Sequence, residues 1–101
     1  MGIDIVFYDK EGQEIGHTEI ESEFHDALFI RNNNWGSYHY LRKLKDFYLT
    51  NVTYNRQEVE NLIEDFKNVR MFIPKEYQNQ VDGLILKLKM PGVETIHCAG
   101  D

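Results

Sequence analysis

The chain opens on an alternating pattern. Across residues 2–8, Ile3, Ile5 and Phe7 share one face of an extended segment, while Asp4, Val6 and Tyr8 share the other. That period of two predicts a strand. Asp9-Lys10-Glu11-Gly12 reads as a turn. An aspartate in first position can bond the backbone ahead of it, and a fourth-position glycine accepts a left-handed conformation. A second strand is expected over about residues 13–21, with His17, Glu19 and Glu21 facing outward. Ile15 shares their parity and Ile20 does not, so the spacing predicts a bulge near Gly16.

Beyond the hairpin the period changes. Residues 23–30 fit either a short helix or a buried strand, and Asn32-Asn33-Asn34 reads as a loop. From Trp35 to Leu49, apolar residues recur at Trp35, Tyr38, Leu41, Leu44, Phe47 and Tyr48, which suggests a helix. Asn55 followed by Glu58 has the form of a helix N-cap with a carboxylate reaching back. The helix it starts carries a stripe of Val59, Leu62, Ile63, Phe66 and Val69. Pro74 suits the first turn of a further helix. Tyr77, Val81, Leu84, Ile85 and Leu88 keep helical spacing, yet Leu84, Leu86, Leu88 and Met90 also alternate. Residues 83–90 are therefore open between helix and strand. Pro91-Gly92 ends this element, and residues 93–98 read as a last strand.

These elements predict a single α+β domain over residues 1–101. A small antiparallel sheet, made of the N-terminal hairpin and the C-terminal strand, carries two or three amphipathic helices on one face. A mostly helical domain with an appended hairpin is the alternative. The length is near the commonest domain size. An apolar content of 42% is enough to build a core, which argues against wholesale disorder.

Charge adds direction to this picture. The first 26 residues hold eight acidic side chains against Lys10 alone. Over residues 27–56 the sign reverses: Arg31, Arg42, Lys43, Lys45 and Arg56 oppose only Asp46. The net charge of −6 disfavours direct nucleic-acid binding, which needs a basic face. No run approaches membrane-spanning length and no signal-like apolar segment opens the chain, so a cytoplasmic protein is expected, without membrane contact.

Catalytic and metal patterns are weak. Four histidines and Cys98 include no Cys-x-x-Cys and no His-x-x-x-His. His17, Glu21 and His25 would converge only through tertiary structure. His97 and Cys98 are adjacent, so on a strand their side chains point apart and His97 cannot serve as the thiol's base. Glu19 and Glu21 share a strand face, but so many carboxylates in one segment make such pairs inevitable, and a solvated face is the default. No metal, cofactor or catalytic residue is expected. Trp35, Tyr38 and Tyr48 continue an apolar stripe and read as core, whereas Tyr40 lies off it.

The segments GIDIVFYD, FHDALFIRNNNWGSYHYLRKLKDFYL and RQEVENLIEDFKNV, in that order, resemble small acidic immunity proteins of bacterial polymorphic-toxin systems, including those of contact-dependent growth inhibition. The resemblance covers most of the chain and rests on size, acidity and layout. It implies a non-enzymatic inhibitor that binds and neutralises a cognate toxin domain. A basic nuclease toxin would be steered by Glu19, Glu21, Glu23 and Asp26, with Trp35 and Tyr40 as anchors. The same outline occurs in small phage and prophage proteins. An inhibitor of a host defence nuclease that mimics nucleic-acid charge is therefore the first alternative, and a small metal-binding protein the second.

Overall fold

A computed structural model describes residues 2–100. Strands β1 (Gly2–Tyr8) and β2 (Glu14–Glu21) form the N-terminal hairpin. Helix α1 (Ser22–Phe29) follows directly. A 3₁₀ turn at Trp35–Ser37 leads to the one-turn helix α2 (His39–Arg42). Strand β3 (Asn51–Tyr54) precedes α3 (Arg56–Val69), a second 3₁₀ turn, α4 (Lys75–Leu88) and β4 (Thr95–Gly100). The antiparallel sheet has the order β2-β1-β4-β3. The α+β prediction therefore holds, with β3 as an addition to the three expected strands.

The hairpin turn works as its residues suggest. Asp9 Oδ1 accepts from the backbone N–H of Glu11 and of Gln13, each at 2.9 Å. Gly12 takes φ of +78°. The register runs Phe7 opposite Gly16 and then Tyr8 opposite Glu14, so Ile15 is the extra residue of a bulge. That bulge reconciles the parity of Ile15 with that of Ile20.

Every inward position of the central strands is apolar. Ile3, Ile5 and Phe7 of β1 align with Ile20 of β2 and with Cys98 and Ile96 of β4, and all are buried. The helices cover this face. In α3, Asn55 and Glu58 form a reciprocal capping box, and Val59, Leu62, Ile63, Phe66 and Val69 are all buried. Burying each such side chain contributes about 1.5–3 kcal/mol before entropy is counted. In α4, Val81, Leu84, Ile85 and Leu88 are buried while Leu86 is exposed. The helical spacing thus prevails over the alternating one, and residues 83–88 are helix. Pro74 sits one position earlier than expected, at the N-cap. A bidentate Arg70–Asp82 pair, at 2.7 and 2.9 Å, ties the α3–α4 connection to α4.

Residues 35–49 do not form the continuous helix expected of them. The apolar positions recur every three residues, and a spacing of three suits 3₁₀ geometry better than α. The segment accordingly breaks into the 3₁₀ turn, α2 and further turns. Tyr48 is also no core residue: it is 65% exposed. Asp46 bonds the N–H groups of Tyr48 and Leu49, at 3.0 and 2.9 Å, folding the chain back at that point.

Candidate functional site

The irregular 35–49 segment packs beside α1 and leaves a groove of about 650 Å³ between them. Phe29, Trp35, Phe47 and Tyr48 supply its aromatic walls. Asp26 from α1 and Asp46 from the facing turn stand at its sides, with Lys45. Ile30, also lining it, is 71% exposed, and Leu49 next to Tyr48 is 78% exposed. Large apolar side chains gathered in the open beside a concave surface are the usual mark of a contact site.

Trp35 is held in a fixed pose. Its indole Nε1–H donates to the Phe29 carbonyl at 2.9 Å. Its ring meets the Phe29 ring edge to face, with centroids 5.6 Å apart. The Lys45 ammonium lies 5.9 Å from the Trp35 ring centroid, a cation–π contact that at an exposed site contributes about 0.5–1 kcal/mol.

His25 lies at the base of the groove and is 4% exposed. It sits between the rings of Phe29 and Phe47, with centroids at 4.7 and 5.1 Å. Its Nε2–H donates to the Leu44 carbonyl at 2.8 Å, which fixes the tautomer. Burial pushes its pKa below the ordinary value, only partly offset by that hydrogen bond and by Asp26 and Asp46. The ring is therefore a neutral strut joining α1 to the irregular segment.

The residues singled out from sequence fall in four places. Asp26 and Trp35 share the groove. Glu23, one turn earlier on α1, accepts from the Tyr77 hydroxyl at 3.3 Å and so faces α4. Glu19 and Glu21 lie on β2, opposite Asp4 and Gly2 of β1, on the sheet face away from the helices. Tyr40 is half-buried at the start of α2 and does not line the groove. Its carbonyl accepts from the Tyr54 hydroxyl at 2.7 Å, and the Lys43 ammonium lies 5.4 Å from its ring centroid.

The basic cluster engages groups outside the acidic hairpin. Arg42 bonds the Gly36 carbonyl and His39, Lys43 lies 3.9 Å from Glu58, and Lys45 covers Trp35. The groove also takes in Ile30, Asp46 and Tyr48, which the sequence pattern did not single out as site residues. For Tyr48 the local signal is the Asp46 turn, whose carboxylate bonds the Tyr48 and Leu49 N–H groups and leaves both side chains exposed.

Other clusters separate in space. His17 and Glu21 lie on the outer sheet face, while His25 is buried on the helical side. Among the described residues, no group of three or more His, Cys, Asp and Glu side chains could hold a metal ion. His97 bonds Asn51 at 2.7 Å, whereas Cys98 next to it is fully buried and its thiol is pushed up to about 12 by burial. A second concavity beside α3 is lined by charges that pair with one another, Arg56 with Glu60 and Lys67 with Glu64. No described helix is long and apolar enough to cross a membrane. No family model, curated protein or solved structure matches this chain.

Proposed function

We propose that this chain is an immunity protein, acting in the cytoplasm by binding and neutralising a cognate bacterial toxin domain. The observation that carries this reading is the aromatic groove with exposed Ile30 and Tyr48 on its rim and Asp26 at its side. An apolar centre bordered by charge is the common anatomy of a protein–protein contact. Trp35 supplies a rigid aromatic anchor of the kind that dominates binding energy. The acidic residues beside it, Asp26 and Asp46, attract a partner with a basic substrate groove, as a nuclease toxin has, and speed its approach.

The test is co-expression with the toxin domain encoded beside the chain. The wild-type protein should restore growth, and W35A together with D26N should reduce rescue and binding. Binding no stronger than that of an unrelated acidic protein would sink the proposal. A nucleic-acid mimic would instead use the outer sheet face, where Asp4 pairs with Glu19 and no strand position is Lys or Arg. In that case D4N and E21Q would abolish inhibition while W35A would not.

A further inference from the structure

We infer that the Trp35 groove accepts an arginine side chain presented by a basic protein partner. This deepens the partner-binding reading of the same groove and rests on it. Three observations identify the occupant. First, the Asp26 carboxylate stands at the groove beside His25 and makes no hydrogen bond or ion pair among the described residues. Asp46, opposite, uses Oδ1 for the Tyr48 and Leu49 N–H groups and leaves Oδ2 for an incoming donor. Two carboxylates bordering aromatic walls select a cation over an apolar tip or an anion.

Second, the protein already places a cation there. Lys45 lies over the Trp35 ring at 5.9 Å from its centroid, so this face of the indole receives positive charge. Lys45 is exposed, and its long side chain can be displaced by an incoming group. Third, the indole plane is fixed in advance by the 2.9 Å bond to the Phe29 carbonyl. A flat, prepositioned ring favours guanidinium over ammonium. The guanidinium is planar and weakly hydrated, and it can stack while its N–H fork reaches a carboxylate. Exposed Ile30 and Tyr48, which line the groove, give the partner's neighbouring residues an apolar rest, which a free small cation would not use.

The experiment titrates full-length protein with the blocked tripeptide acetyl-Gly-Arg-Gly-amide. The readouts are the Trp35 indole N–H resonance and the fluorescence of Trp35, the chain's one tryptophan. The lysine and norleucine tripeptides serve as comparisons. A saturable shift is expected, with the arginine peptide binding roughly threefold or more tighter than either comparison. D26N should weaken it by about threefold, and K45M, which removes the competing cation, should tighten it by about twofold. Asp26 and Lys45 are both exposed, so an unchanged melting temperature will show that each variant is folded. No saturable Trp35 response, equal binding of the norleucine peptide, or indifference to both substitutions would overturn the inference. Toxin neutralisation without a peptide response would overturn the arginine assignment alone. A peptide response without neutralisation would overturn the toxin reading and leave the groove chemistry standing.

Discussion

Asp65 of α3 holds the start of α2. Its Oδ2 accepts from the backbone N–H of Tyr40 at 2.9 Å, and also from that of Leu41 at 3.0 Å. An isolated four-residue helix is unstable because nucleation costs more than one turn returns. The capping carboxylate therefore comes from a residue 25 positions away, and α2 is a tertiary product. D65A should cost about 1–2 kcal/mol, as loss of a charged cap does. The thermal midpoint should fall by about 4–8 °C per kcal/mol. Scanning calorimetry checks this, and D65N, which keeps an acceptor, should fall between D65A and wild type.

Gly100 sets how closely the groove wall approaches the sheet. Its N–H donates to the Thr50 carbonyl at 2.7 Å. A Cβ at this position would overlap the Phe47 carbonyl oxygen and lie 3.0 Å from the Phe47 carbonyl carbon. These are backbone atoms, which cannot rotate aside. G100A should therefore destabilise by about 1–3 kcal/mol, as overpacking does. It should also displace Phe47 and Tyr48, and so shift the Trp35 indole resonance. Urea denaturation and a two-dimensional NMR spectrum check both effects.

Legibility in the sequence followed how local each determinant is. The capping box of Asn55 and Glu58 and the stripe beginning at Val59 lie within a few residues of each other, so α3 was readable. The bulge at Ile15 was readable because a slip in parity is itself local. Strand β3 was not, since four residues give too short a pattern and its pairing partner β4 lies over forty residues away. The 35–49 segment misled because its stripe of threes imitates a helix, while Asp65, which orders it, is remote. Asp26 and Trp35 were both nominated, but their meeting in one groove depends on how α1 and the irregular segment pack. Separation of Glu19 and Glu21 from that groove follows from their outward parity on β2, which the alternating pattern gives and charge clustering along the chain does not.

Cys98 should be silent in the native state. Its side chain is fully buried, and burial pushes the thiol from 9.0 up to about 12. The reactive thiolate is thus scarce and inaccessible. A disulfide-exchange reagent such as DTNB should leave the folded protein unmodified and label it promptly in concentrated urea. Labelling rates in dilute urea should then report the opening of the β1–β4 core. Prompt labelling of the native protein would contradict this packing.

His25 makes stability depend on pH. Burial holds its folded pKa below the ordinary 6.5. The unfolded chain therefore binds the proton more readily, and stability rises with pH across that interval. The contribution is full above the ordinary value and is lost as pH falls through the depressed one. H25Q keeps a donor for the Leu44 carbonyl and removes the titration. Between about pH 7.5 and 5.5, wild type should lose more stability than H25Q, with parallel curves above that range. Melting temperatures of the two proteins across the series measure the difference.

Association with the proposed toxin partner should discriminate between the two acidic surfaces. Asp26 borders the groove, whereas Glu21 lies on the far side of the sheet. Long-range steering sums all exposed charge, so D26K and E21K should each slow association at low salt and flatten its salt dependence. Only a contact residue changes dissociation as well. D26K should therefore raise the dissociation rate by about tenfold or more, because like charges then meet at the interface. E21K should leave the dissociation rate unchanged. Surface plasmon resonance at two ionic strengths separates these effects. A faster dissociation for E21K with none for D26K would move the contact surface from the groove to the open face of the sheet.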